Sequence, residues 1–147
     1  MKRTMVVMGA LLLTAGAVMA EDQLKETQTV MKANGKNAGA LSAMVKGEKP
    51  YDQATVDAAL AQFDETAKKL PTLFPVSLKG KTFDGDYQTT EKIWSDKAGF
   101  DEHITSFAKA VGDAKGKIKD MDTLKTSLGV IGKQCGGCHE TYRMKKT

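Results

Sequence analysis

The chain has 147 residues, 41% of them hydrophobic and 27% charged, with a formal net charge of +4 and only two cysteines. That length is one domain's worth, and two cysteines exclude a disulfide-stapled scaffold. Two of the 22 basic residues, Lys2 and Arg3, belong to a leader. Without them the basic residues nearly balance the 18 acidic ones, and no nucleic-acid footprint remains.

Lys2 and Arg3 form a positive n-region, Met5 to Ala17 an uncharged apolar h-region, and Val18-Met19-Ala20 a small-residue cleavage site. The expectation is a signal peptide over residues 1–20, cut after Ala20, and an exported protein. In a bacterium that places it in the periplasm. The apolar run is too short and wrongly flanked for a retained transmembrane helix, so no membrane attachment is expected. Residues 21–147 then form the single mature domain.

From about Asp22 to Lys46, the residues Leu24, Thr27, Met31, Asn34, Ala38, Leu41 and Val45 recur at alternating steps of three and four. That is the seam of a helix packed against others. Gly47 and Pro50 end it. A second helix is expected from Asp52, a candidate N-cap, to Leu70. Its seam is Val56, Leu60, Phe63, Ala67 and Leu70, with Lys68 and Lys69 in the last turn, where the helix dipole favours cations. Pro71 stops it.

Pro71 to Ser95 has no sustained period. A connection this long inside a compact domain needs a job, such as covering a cofactor. Ile93 and Trp94 are the residues expected to fold back onto an apolar ring, although ordinary core packing explains Trp94 equally well. A third helix starts near Ser95 or Asp96, with the seam Phe100, Ile104, Phe107, Val111, Ala114 and Ile118. A fourth starts near Asp120 and carries Met121, Leu124, Leu128, Ile131, Cys135, Cys138 and Tyr142 inward. Four seamed helices and no strand pattern predict an all-α, antiparallel up-down four-helix bundle.

The fourth helix ends in Cys135-Gly136-Gly137-Cys138-His139, the C-x-x-C-H attachment signature of c-type haem. Two thiols three residues apart share one face of a helical turn. There they can meet the two vinyl groups along one edge of a porphyrin, while His139 supplies the proximal imidazole to iron. A thioredoxin-like pair would sit early in a βαβ unit, and here no strand precedes it. A zinc site wants four ligands, and the whole chain has two Cys and two His. A short-range disulfide followed by a chance histidine is the bland alternative. One covalent haem c, tethered by Cys135 and Cys138 and ligated by His139, is the expected cofactor.

In an up-down bundle the start of the first helix lies beside the end of the fourth. Met31 therefore falls at the level of His139, on the inward seam, as the candidate distal ligand. His/Met ligation raises the reduction potential and suits electron transfer. The alternative for Met31 is a space-filling core methionine over an open iron site. Met44 is roughly 20 Å further along the helix at about 1.5 Å per residue, Met121 is equally remote, and Met144 shares the helix of His139. His103 is expected at the rim or in solvent.

With C-x-x-C-H near the C-terminus, Tyr142-Arg143 after it, Ile93-Trp94 before the third helix and four helices, the chain resembles the class II cytochromes c, the cytochrome c prime family, over its whole mature length. The stretches Thr27-Gln28-Thr29-Val30-Met31-Lys32 and Lys46-Gly47-Glu48-Lys49-Pro50-Tyr51-Asp52 resemble the low-spin cytochrome c-556 branch most. The resemblance implies that Met31 is the sixth ligand, that Arg143 packs near the proximal histidine, and that Gln28 and Trp94 help to pack the haem. High-spin members commonly carry an arginine where this chain has Thr27, and some of them keep an unligated methionine at the distal position. The resemblance also implies a homodimer through the first two helices, less regularly in the low-spin branch, where a monomer stays open.

The function expected is non-enzymatic: a periplasmic electron carrier serving redox partner proteins, with no nucleic acid and no membrane. The alternative is a five-coordinate haem protein binding nitric oxide or carbon monoxide. A peroxidase-like enzyme would need distal acid/base groups, for which His103 is the one candidate. Lys133, Arg143, Lys145 and Lys146 could steer an acidic partner or simply solvate a helix end.

Overall fold

The computed structural model describes residues 14–146, with side chains from residue 21 onward. The expected signal peptide lies largely outside the described residues. Among those described, no helix is long and apolar enough to cross a membrane.

Four helices build the bundle: α1 (Thr14–Val45), α2 (Gln53–Lys69), α4 (Lys97–Ala114) and α5 (Met121–Tyr142). A single turn, α3 (Lys92–Ser95), precedes α4. Each of α2, α4 and α5 starts where an aspartate can accept from the first free amides. Asp52 accepts from Thr55 N, Asp96 from Gly99 N, and Asp120 closes a capping box with Thr123. Gly47, with φ +76°, ends α1, and Gly116, with φ +77°, turns α4 toward α5. Both sit in the left-handed region, where a Cβ is costly.

Helix α1 packs on α2 and α5, and α4 packs on the same two, giving the expected cyclic order. The seams of α2 and α4 are buried throughout, with Ile118 just past the end of α4, and so are Leu124, Ile131 and Tyr142 of α5. On α1 the stripe is wider than expected: Val30 and Met44, one position off the seam, are buried at 7% and 3% exposure. One end of the bundle is filled solid by Leu41, Met44, Val56, Leu60, Val111, Ile118 and Leu124, all at most 3% exposed.

The other end departs from the all-helix expectation in one respect. The connection after α2 contains a strand, β1 (Tyr87–Thr89), which pairs antiparallel with β2 (Arg143–Lys145), the three residues after α5. Tyr87 stands opposite Lys145 and Thr89 opposite Arg143. Helix α5 therefore does not continue to Lys145 and Lys146. Its last turn hands over to a two-stranded ribbon, extended by Thr90 N donating to Tyr142 O and Lys146 N donating to Asp86 O.

Candidate functional site

At the ribbon end the four helices diverge around a cavity of about 520 Å³, within the range of cofactor pockets. Its walls are mainly apolar: Phe63 from α2 and Leu70 just past its end, Phe74 and Phe83 from the connection, and Phe100, Ile104 and Phe107 from α4. The rings interlock edge to face, Phe74 on Phe100 at 5.4 Å and Phe63 on Phe107 at 6.3 Å between centroids.

Helix α5 brings Cys135, Cys138 and His139 to this cavity together. Both thiols are half-buried and unpaired. Burial raises the Cys135 thiol above its ordinary range. Burial, with a smaller contribution from Cys135, takes that of Cys138 to about 11. Two neutral thiols one helical turn apart are the donor set that thioether attachment requires. Burial, and then the neighbouring Arg143 charge, lower the pKa of His139 and favour the neutral imidazole, the form with a free nitrogen lone pair. Helix α1 brings Met31 to the same cavity, with Thr27, Gln28, Asn34 and Ala38 on either side of it. The residues present therefore fit a flat apolar macrocycle: Cys135 and Cys138 would hold it through sulfur, and His139 would offer a nitrogen to its metal.

The long connection is the cover that its length suggested. Phe83 to Thr89 line the cavity. This segment is held by side chains bonding to its backbone: Gln28 Nε2 donates to Asp84 O at 2.7 Å, and Lys146 Nζ to Phe83 O. Nearer α2, Thr27 Oγ1 donates to Leu73 O at 3.0 Å and Gln23 Nε2 to Thr72 O at 2.7 Å. Arg143 lies with its guanidinium carbon 4.2 Å from the centre of the Tyr87 ring, a cation–π contact at the cavity rim.

Two expected positions come out differently. Ile93 lines the cavity and Trp94 does not. The Trp94 indole N–H is instead shared between Phe74 O at 3.1 Å and Pro75 O at 3.3 Å, so its ring fastens the connection to α3. His103, expected at the rim or in solvent, lines the cavity, with its ring 5.6 Å from that of Tyr142 and against the Gly137 turn between the cysteines. Met44 is buried in the filled end and Met144 is exposed on the ribbon; neither lines the cavity.

Sequence reasoning missed Thr66 and the ribbon residues. Thr66 is fully buried and also lines the cavity. Its signal was a polar residue one helical turn past Phe63 on an otherwise apolar face. Tyr87 and Gln88 gave no signal, because three-residue strands are too short to show alternation.

Tyr142 closes the wall behind His139. Its hydroxyl donates to Asp96 Oδ2 at 2.9 Å, and its ring meets that of Phe100 edge to face at 5.1 Å between centroids. Asp96 thus caps α4 and anchors the last turn of α5 at once. Gly99 is required there: a Cβ at that position would lie 2.6 Å from Asp96 Oδ2 and 2.7 Å from the Tyr142 hydroxyl.

The profile of the family described as Cytochrome C' matches residues 22–143. Cytochrome c-556 of Rhodopseudomonas palustris is 61% identical over 148 residues, 99% of each chain. The NMR-validated structural model of the oxidized R. palustris cytochrome c556 superposes with a TM-score of 0.77 at 58% identity, covering 86% of this chain and 99% of that one. The cytochrome c' of the same organism does so at 0.78 and 37% identity, covering 86% and 98%.

Proposed function

Because this chain belongs to the cytochrome c' family and carries that family's covalently attached haem c, we propose that it is an exported one-electron carrier whose iron is held between His139 and Met31. The observation that carries this reading is the meeting of Met31, from α1, with Cys135, Cys138 and His139, from α5, in one apolar cavity. When bound, the haem supplies a ferric/ferrous couple.

The chain's own residues do the rest. Cys135 and Cys138 each give a sulfur to a thioether tether. His139 gives a neutral imidazole, and its helix end is fixed by Tyr142 and Asp96. Met31 gives a weakly donating thioether, which favours the reduced state and so raises the potential. The phenylalanines exclude water, which lowers the reorganisation that accompanies a change of charge. Gln28 and Arg143 hold the covering segment shut, through Asp84 O and the Tyr87 ring. Cleavage after Ala20 and release into the periplasm, where redox partners would dock at the ribbon end, complete the proposal.

A five-coordinate binder of nitric oxide or carbon monoxide is the second reading. It is favoured by the likeness to a protein named cytochrome c' on the same fold. On that reading Met31 fills space rather than donating to iron.

Optical spectra of the holoprotein, oxidised and reduced, with and without carbon monoxide, separate the two. Sharp low-spin bands and a ferric sulfur-to-iron band, unchanged by carbon monoxide, are expected for the carrier, with Met31→Ala turning it into a carbon monoxide binder. Broad high-spin bands that shift with carbon monoxide in the unaltered protein would overturn Met31 as ligand.

A further inference from the structure

The cavity reaches the surface between α1 and the covering segment. Its exposed lining residues are Lys32 and Gly35 of α1, Asp84 to Tyr87 of the cover, and Arg143 of β2. Four large hydrophobic side chains are exposed among the described residues: Val76, Tyr87, Val130 and Met144. Of these four, Tyr87 alone also lines the cavity. At 46% exposure, it gives part of its surface to the cofactor space and part to solvent. A protein that exchanges an electron with the cofactor must come close to it, and Tyr87 is the apolar surface at which it can.

The surround of Tyr87 is cationic. Lys32 and Lys36, one helical turn apart on α1, stand on one side. Lys145, directly opposite Tyr87 in the ribbon, and Arg143, with its guanidinium carbon 4.2 Å from the centre of the Tyr87 ring, stand on the other. All four are exposed, and none forms an ion pair with a described carboxylate. The carboxylates that line the mouth are two, Asp84 and Asp86. An aromatic centre within a charged rim is the anatomy of a protein–protein contact. The excess of cations favours an acidic partner and disfavours a second copy of the same face.

We propose that Tyr87, with Lys32, Lys36, Arg143 and Lys145 around it, is the docking surface for an acidic one-electron protein. This rests on the carrier reading given above and supplies its partner class. The cations steer and orient the partner, and Tyr87 packs against its apolar centre. One electron then crosses between the iron and the partner's redox centre, with no bond made or broken.

The test measures reduction of the ferric holoprotein by two one-electron donors. Reduced flavodoxin, an acidic protein, reads docking. Photoreduced lumiflavin, whose radical is small and uncharged at neutral pH, reads access to the cofactor without docking. Removing three rim charges together, by Lys32→Gln, Lys36→Gln and Lys145→Gln, is expected to slow flavodoxin about tenfold at low salt. The difference is expected to vanish near 1 M salt, where screening acts over about 3 Å. Removing three charges at the filled end, by Lys117→Gln, Lys119→Gln and Lys125→Gln, is expected to slow it far less. Tyr87→Ala is expected to slow flavodoxin about fivefold, the effect of losing one central contact, without slowing lumiflavin. Equal slowing by the two triple variants, or an unchanged flavodoxin rate in the rim variant, overturns the docking surface and leaves the carrier reading standing. So does a Tyr87→Ala variant in which lumiflavin slows as much as flavodoxin, because the ring then serves the cofactor and not a partner. Self-association of the unaltered holoprotein that Tyr87→Ala abolishes, read by sedimentation, gives the patch to a second copy and also overturns the proposal. Failure of both donors to reduce the unaltered protein overturns the carrier reading and the docking surface together.

Discussion

The two ends of the bundle solve the same packing problem in opposite ways. At the Gly47 end, side chains meet side chains: Leu41, Met44, Val56, Leu60, Val111, Ile118 and Leu124 leave no room for anything else. At the ribbon end the helices stand apart around about 520 Å³, and the chain holds itself together by other means. Side chains of α1 bond to backbone carbonyls of the connection, Tyr142 bonds to Asp96, and β1 pairs with β2. One end is stabilised by burial of its own residues. The other is a frame of directional bonds around a core that the cofactor must supply.

The comparison is broken most severely by removing that cofactor core. Replacing Cys135 and Cys138 by Ala leaves haem untethered. A cavity of this size, if it stayed open and empty, would cost up to about 12 kcal/mol at roughly 24 cal/mol per Å³, as much as the whole stability of many domains. Amides near Met31 and His139 are therefore expected to lose hydrogen-exchange protection in the double variant, while those near Leu41, Val56 and Leu124 keep theirs. Uniform protection across both ends would contradict the division drawn here.

Next in size is damage to the filled end. Leu124→Ala removes a side chain that is fully buried, and a loss of about 2–5 kcal/mol is expected in denaturant unfolding, with the haem spectrum unchanged.

Tyr142→Phe tests the frame. It keeps the ring on Phe100 but deletes the bond to Asp96, for an expected loss of about 1–2 kcal/mol. The same bond sets a pH dependence. Burial, then the hydrogen bond to Asp96, raises the Tyr142 phenol from 10.0 to about 12. The folded state thus holds this proton more tightly than the unfolded one. Its stabilising effect is complete below pH 10 and is lost as pH rises from there toward 12. Ultraviolet titration should show a tyrosine ionising near pH 12 that Tyr142→Phe lacks, and the variant should also lack the alkaline loss of stability. The smallest effect is expected from Thr27→Val, which leaves Leu73 O without its side-chain donor: about 1 kcal/mol in thermal unfolding.

The same division explains what could be read from sequence. The filled end was legible almost residue by residue, because three-four spacing reports burial directly; Val56, Leu60, Val111, Ile118 and Leu124 all stand where the pattern put them. At the other end, fixed spacing put Cys135, Cys138 and His139 on one turn and helix lengths put Met31 at their level, and the four do line one cavity. Reasoning from spacing failed where the frame is made of side-chain-to-backbone bonds. Nothing in a sequence pattern reports that Trp94 bonds to Phe74 O and Pro75 O, that His103 turns inward beside Tyr142, or that the tail after Tyr142 leaves the helix to pair with Tyr87–Thr89.

That pairing has a kinetic side. The ribbon joins residues far apart in the chain: Thr90 and Thr141, 51 positions apart, and Phe83 and Lys146, 63 apart. Closing loops of that length costs more entropy than forming a helix or its capping turns, so helices come early and the ribbon comes late. Until it closes, the covering segment is not fastened over the cavity that Cys135 and Cys138 line. The newly made chain thus has an interval in which its helices exist and the cover over its thiols is still open. The last stitch to form is the one that seals the attached cofactor in.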